Sequence, residues 1–347
     1  MSDLSGRIKR RDFLLRATAG ASMLAAGGAV VYDRWRRANP PQPWSSEAMR
    51  QPAQSRVAIV RRSSYEVAPL EVEVDRILAS FALPVAGKRV VLKPNFVEYD
   101  PRGVINTNPA LVGVVAQAFR RLGAASVVIA EGPGHRRDNA YLLGASGLLD
   151  MMRDLKVPYV DLNTDNVVRV ACRSDYSGLG SLWLPRTIVD ADLVVSMPKL
   201  KTHHWAGVTL SMKNLFGIMP GSVYGWPKNV LHQHGIEESI LDISAALPRA
   251  PFTIVDGIVG MEGNGPIQGT AVQAGVIIFG DDPVAVDATA ARVMEVDPTK
   301  VRYLSEAGRF LGNLEVGRIV QIGEPIAGNS RPFTLMARSA DLRGAGG

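Results

Sequence analysis

Four of the five histidines fall in one stretch, Lys199 to His234, which reads KLKTHHWAGVTLSMKNLFGIMPGSVYGWPKNVLHQH. Histidine changes charge nearest neutral pH and is the commonest metal ligand. Lys199, Lys201 and Lys213 bracket His203 and His204, with Leu200, Leu210, Met212, Leu215 and Phe216 between and beside them. Ammonium groups crowded round an apolar pocket favour a phosphate or carboxylate and depress one another's pKa. The apolar neighbours weigh against a merely solvated charged face. Neighbouring loop residues point apart, so at most one of His203 and His204 is expected to face the site. His232 and His234 have the alternate spacing that sets two imidazoles on one side of an extended segment, a weak metal signal by itself.

The other candidates follow predicted strands, where α/β proteins build their sites. Lys93-Pro94-Asn95 offers an ammonium and an amide for ligand contact; a plain turn explains it equally well. His135 comes after Val127–Ala130 in a Gly132-Pro133-Gly134 turn that exposes its imidazole for acid–base work, or leaves it a solvent histidine beside Arg136 and Arg137. Asp256 to Pro266 contains four glycines, and its backbone amides can form an anion-binding nest around Gly263 and Asn264. Asp256, Glu262 and Asn264 equally suit a cation or a set of turn caps. Asp282 and Asp287 are read as the N-cap and early-turn acid of one helix. No Walker motif, G-x-G-x-x-G, G-x-S-x-G or H-E-x-x-H occurs.

The elements that must position these groups alternate. Strands are predicted at Val57–Val60, Val90–Leu92, Val127–Ala130, Val167–Ala171, Leu193–Ser196, Thr253–Val255, Val276–Phe279 and Ile319–Ile322. Helices open at Asn108-Pro109, Asp282-Pro283 and Asp297-Pro298; the first ends at Gly123 and the third near Gly308. The expected fold class is α/β: a mainly parallel sheet flanked by helices, in one or two lobes.

Composition narrows the function. Of 347 residues, 46% are apolar and 21% charged, as in ordinary globular chains. The net charge is +6, but residues 1–50 carry +5 of it, so the body has no phosphate-tracking footprint and no nucleic-acid partner is expected. Cys172 stands alone, which excludes an internal disulfide and an iron–sulfur cluster held by the chain's own cysteines. Any metal must rely on His, Asp, Glu or a bound cofactor.

Lys9-Arg10-Arg11-Asp12-Phe13-Leu14-Leu15, followed by an Ala/Gly-rich apolar stretch, resembles a twin-arginine export signal, with Lys9 where Ser or Thr is usual. Residues 1–33 are read as this signal or an N-terminal anchor, 34–55 as a Pro-rich linker, 56–325 as the α/β domain and 326–347 as a tail that frays from Arg338. The implied partner is the twin-arginine translocation machinery. The implied location is the periplasm or the outer side of the cytoplasmic membrane, touched only through the N-terminal segment. That route exports folded proteins, which hints at a cofactor loaded beforehand.

Two family resemblances sharpen this. Val91-Leu92-Lys93-Pro94-Asn95, Thr107-Asn108-Pro109, Pro198 to His203, Ser211-Met212-Lys213-Asn214, the Asp256–Gly265 segment and Asp282 to Asp287 resemble the domain of unknown function 362 family from about Arg56 to Gly308. More distantly, Ala130 to Arg136 is similar to a lactate racemase turn, and His203-His204-Trp205-Ala206-Gly207 with Lys213 six residues on is similar to that family's second element. Pro220-Gly221 and His232 are both displaced there by the same three residues. The racemases hold a nickel-pincer nucleotide covalently through a lysine and ligate nickel by a histidine; Ser211-Met212 replaces their Gly-Gly. The resemblance implies His203 rather than His204 at the site, Lys213 as cofactor or anion holder, and His232 as metal ligand. The expected site therefore joins His135 and His203 as proton-transfer bases, Lys199, Lys213, Lys93, Asn95, Gly263 and Asn264 as cofactor or anion contacts, and His232 with His234 for a metal. The expected function is an enzyme acting on a small anionic or oxygenated substrate with a metal or a nickel-pincer-like cofactor. The alternatives are an exported anion- or metal-binding protein and an accessory factor for maturing an exported metalloenzyme.

Changing Arg10 and Arg11 together to lysine should leave the protein in the cytoplasm, because the pair carries the address. Fractionation that still finds this variant in the cell envelope rejects the signal.

Overall fold

The β-branched runs become strands: β1 Ser55–Arg61, β2 Arg89–Pro94, β3 Ser126–Glu131, β4 Tyr159–Asp161, β5 Val167–Ala171, β6 Ser181–Pro185 and β7 Leu193–Met197. They continue with β8 Lys199–His203, β9 Gly207–Thr209, β10 Phe252–Glu262, β11 Thr270–Val272, β12 Val276–Gly280 and β13 Ile319–Gly323. The computed structural model describes residues 43–134 and 138–344, so the export signal and His135, Arg136 and Arg137 lie outside the described residues.

The main sheet runs β13-β1-β12-β10-β7-β2-β3-β4. All neighbours along it are parallel except at β12, which runs antiparallel between β1 and β10. This is the expected mainly parallel α/β sheet. Alternate residues of each strand feed opposite layers, as a period of two requires. Ala58, Val90, Leu92, Ile254 and Phe279 pack with the helices Val67–Phe81 and Pro109–Arg121. Ile59, Val91, Val255 and Ile278 pack with Ile236–Ala246 and Pro283–Val293. The pair β5–β6 forms a separate antiparallel ribbon.

Beyond β7 the sheet forks. β8 pairs in parallel with the far half of β10 and folds back on β9 as a hairpin. This corrects the glycine-loop reading, since residues 256–262 are strand. Gly257 and Gly260 are small because β8 lies on them: a Cβ at Gly260 would sit 2.8 Å from the Leu200 carbonyl oxygen, and one at Gly257 2.9 Å from Leu200 Cδ2.

The helix starts show what local signals determine. Asn108 caps its helix by accepting from Ala110 N at 2.9 Å. Asp282 accepts from Val284 N at 2.9 Å and also from Ser55 Oγ at 2.6 Å and Asn313 N at 2.7 Å. Asp287 does not serve that helix start. Its carboxyl accepts Ser211 N at 2.7 Å and Met212 N at 2.9 Å, and so caps the short helix Ser211–Asn214. The Asp297-Pro298 helix is also corrected: Asp297 turns its carboxylate on Thr299 N and Oγ1, and the helix spans only Arg302–Ala307.

Both ends of the described chain are packed. Trp44 stacks on Phe310 with centroids 5.1 Å apart, and Ala48 is fully buried, so this part of the expected linker belongs to the body. The expected fraying from Arg338 gives way to a 3-10 turn at Ala337–Leu342, with Asp297 N bonded to Leu342 O at 2.8 Å. Among the described residues no helix is long and apolar enough to cross a membrane.

Asp282→Ala should lower the unfolding free energy by about 2–3 kcal/mol, since it removes a cap and strands the buried Ser55 and Asn313 donors. Urea denaturation followed by tryptophan fluorescence checks it; a loss below about 0.5 kcal/mol would mean water replaces the carboxylate.

Candidate functional site

A cleft of about 180 Å³ opens where β2, β3 and the β8–β9 hairpin end against the segment from Ser211 to His232. The hairpin turn places His203, His204 and Trp205 on its wall, with Asn95, Glu131 and Lys213 facing from the other elements. Beneath it Lys93 is fully buried and donates to Glu131 Oε2 at 2.6 Å, Asn214 Oδ1 at 3.0 Å and Pro94 O at 2.8 Å. Glu131 also accepts Phe96 N and Gly132 N at 2.9 and 2.8 Å. Burial pulls the Lys93 pKa down and Glu131 pulls it back up.

Three further lysines line the cleft: Lys201, Lys213 and Lys228. Among the described residues none has a carboxylate within 4.0 Å. Lys201 is fully buried and donates only to Ile105 O at 2.9 Å and Pro266 O at 3.2 Å; burial, then Lys199 and Lys213, push its pKa well down. Lys228, in a left-handed conformation with φ 70°, reaches Asn163 Oδ1, and burial lowers it to about 8. Lys213 lies over the Phe216 ring, 4.0 Å from its centroid; burial, then Lys93, lower it to about 8. Buried side-chain oxygens without a hydrogen-bond partner include Asn95 Oδ1 and Thr209 Oγ1, both on residues of this cleft.

Backbone contacts set the histidine tautomers. His203 Nδ1 accepts Trp205 N at 3.0 Å and Ala206 N at 3.1 Å, so the neutral ring carries its proton on Nε2. That corrects its expected role. A neutral Nε2–H is a donor, not a base. His204 Nδ1 donates to Gly265 O at 2.7 Å and His232 Nδ1 to Lys228 O at 3.0 Å, so the neutral ring of each has its lone pair on Nε2. Burial first, then Lys213, hold His203 well below the usual histidine pKa. His232 is lowered by burial and by Lys213, against the pull of the Lys228 carbonyl. Both His203 and His204 line the cleft, their rings stacked 4.8 Å apart, contrary to the expectation that only one would.

The other expected site residues divide. Asn95, His203, Lys213 and His232 line the cleft and Lys93 lies under it, while Gly134 brings the chain to its edge just before His135. Lys199 does not join them: it pairs with Asp256 at 2.7 Å and lines a second cleft with Tyr65 and Asn108. Gly263 and Asn264 form an ordinary turn, Asn264 bonding Gln268 at 3.0 Å, and Pro266 and Ile267 line the cleft instead. His232 and His234 flank the end of a helix, Asn229–Gln233, not an extended segment, and His234 turns away to Ser177 O at 2.9 Å. Sequence reasoning missed Glu131, Asn214 and Lys228, and no local pattern marks them.

A family model described as Domain of unknown function (DUF362) matches residues 90–292. The chain belongs to that family. The match is narrower at both ends than the expected span, yet it contains every residue named above for the first cleft. A thylakoid-associated protein of Synechocystis sp. is 29% identical over 267 residues, covering 73% of this DUF362 chain and 79% of its own length. Among solved structures, lactate racemase apoprotein from Thermoanaerobacterium thermosaccharolyticum overlaps 72% of this chain and 58% of its own, at 15% identity and TM-score 0.43. A Thermotoga maritima structural-genomics protein overlaps 72% and 61%, at 10% identity and TM-score 0.38. The chain thus spans under two thirds of either solved structure.

Lys213 loses its proton near pH 8 when folded and near 10.5 when unfolded. The unfolded chain binds more protons in between, so this group makes stability rise as pH climbs through that window. Lys213→Met should therefore gain stability relative to the parent at pH 7, with the gap much narrower at pH 10. Urea titrations at both pH values check it; a pH-independent gap rejects the depressed pKa.

Proposed function

We propose that this DUF362 protein is an enzyme that holds a small anionic, oxygenated substrate in the cleft and moves a proton on it. One observation carries the reading: Lys201, Lys213 and Lys228 line a single cleft with no described carboxylate in ion-pair range. A structure concentrates uncompensated ammonium groups at the expense of stability, and a bound anion relieves that cost. The histidines then divide the work by tautomer. His203 Nε2–H donates to oxygen charge as it develops, while the Nε2 lone pairs of His204 and His232 accept a proton. Trp205 and the buried Phe216 give the cleft apolar walls.

The residues fit the lysine-anchored nickel nucleotide implied by the racemase resemblance. Lys213 has an amine that no described side chain hydrogen-bonds, and His232 keeps a free Nε2. Lys213 would hold such a group and His232 would ligate its metal, and the group would supply hydride-type chemistry. Among the described residues no three His, Cys, Asp or Glu side chains could hold a metal by themselves, so the second ligand expected at His234 is not supplied. The proposal extends to location: export in the folded state through the twin-arginine machinery, with membrane contact through the N-terminal segment. The relative named for its association with thylakoids supports a membrane-side setting.

Deuterium exchange at carbon tests the reaction. Small hydroxy- and oxo-carboxylates incubated with the protein in heavy water should exchange a C–H, followed by NMR. His232→Gln should slow this by roughly a hundredfold or more. Saturable anion binding without exchange for any substrate would move the protein to the binding-protein class.

A further inference from the structure

We propose that the amine of Lys213 is a nucleophile that condenses with the carbonyl of an anionic aldehyde or ketone, forming an imine. The inference rests on the reading of this cleft as an anion-binding, proton-transferring site and names its substrate class; it takes the place of the nucleotide anchor, which would use the same amine.

Five lysines lie in or beneath the two clefts, and they differ in what holds the ammonium. Lys93 is tied to Glu131, Asn214 and Pro94 O, and Lys199 to Asp256, Tyr65 and Val259 O. Lys201 donates to two carbonyls and Lys228 to Asn163. Lys213 alone of the five has no hydrogen-bond acceptor among the described residues; its contact is the Phe216 ring. A lysine nitrogen hydrogen-bonded to a carbonyl, an amide oxygen or a carboxylate is oriented by that acceptor rather than free to turn to a substrate. The Lys213 nitrogen has only the aromatic face, which favours the ammonium, and burial and then Lys93 outweigh that face and lower its pKa. With a pKa of about 8, about a tenth of the Lys213 amine is free at pH 7, against fewer than about one in a thousand for an ordinary lysine.

The amine is also held still. Asp287 accepts both leading amides of the helix Ser211–Asn214, and Asn214 at its other end donates to Lys93 O and Ser196 Oγ, each at 3.1 Å. The backbone under Lys213 is thus fixed at the residue before and the residue after. A group held this way can meet a bound carbon in attacking geometry.

The step balances without a redox partner. The Nζ lone pair adds to the carbonyl carbon, one amine proton and one proton from solvent leave with the carbonyl oxygen as water, and the second amine proton stays on the imine nitrogen. His203 Nε2–H can hydrogen-bond the departing oxygen. The protonated imine withdraws electrons from the adjacent carbon, whose proton passes to the Nε2 lone pair of His204 or His232 while the electron pair forms an enamine. Lys201 and Lys228 hold the anionic end.

Pyridoxal 5′-phosphate, a planar anionic aldehyde, is the probe, with borohydride reduction on the full chain at pH 7. The expected result is one adduct per chain, on the peptide containing Lys213 at roughly a hundredfold over peptides of exposed lysines such as Lys88 and Lys156, and blocked by inorganic phosphate. Lys213→Arg should abolish it while keeping phosphate binding by calorimetry, and Lys213→Gln serves if the arginine disturbs folding. Phosphate binding without an adduct at Lys213 overturns the imine and leaves the anion site intact. Loss of both sinks the site reading itself. Purified protein whose Lys213 already carries a bound group also overturns the imine, because the amine then serves as an anchor.

Discussion

The fully buried pair between Lys93 and Glu131 is the interaction on which the cleft depends. It joins the ends of β2 and β3 and, through Asn214, the segment that carries Lys213. An ion pair removed from water is not cheap; it persists where every remaining donor and acceptor is matched. Here Glu131 collects the amides of Phe96 and Gly132, and Lys93 spends its other protons on Pro94 and Asn214. Removing one partner would strand a charge and cost about 3–5 kcal/mol. The pair also dictates a neighbour: a Cβ at Gly217 would lie 2.7 Å from Lys93 Nζ and collide with Glu131 Oε1, so the chain can cross here only as glycine.

That pair accounts for the electrostatics around it. Glu131 is the sole carboxylate among the described residues lining the cleft, and it is already matched to Lys93. Every other charge there is positive or absent. Burial first, then neighbouring cations, drive Lys201, Lys213, Lys228, His203 and His232 toward their neutral forms, and neutral forms act as nucleophiles and bases. One arrangement thus gives both an attraction for anions and a supply of lone pairs, in proportions set by pH.

Much of the fold was legible because its signals are local. Asn108-Pro109 and Asp282-Pro283 cap the helices they precede, and the β-branched runs are strands. Asp297-Pro298 misleads, because nearby Thr299 competes for the carboxylate. Asp287 was misread because its targets, Ser211 and Met212, are distant in sequence. The site shows the same division. The HHWAG turn and Lys213 were visible by spacing, whereas Glu131, Asn214 and Lys228 reach the cleft only through sheet order and crossovers. Strand alternation places Lys199, Lys201 and His203 on one face of β8, yet four residues of strand extend about 13 Å. That is far enough for Lys199 to open onto a different cleft.

The turn after β8 has one more consequence. The proton on His203 is placed by the amides of residues 205 and 206, not by any side chain. Its chemistry is therefore set by backbone groups: proline at 205 or 206, with no N–H to give, would undermine the donor without touching the histidine. The side chains at those positions answer to other demands, Ala206 to the core in which it is buried and Trp205 to the imidazole rings beside it.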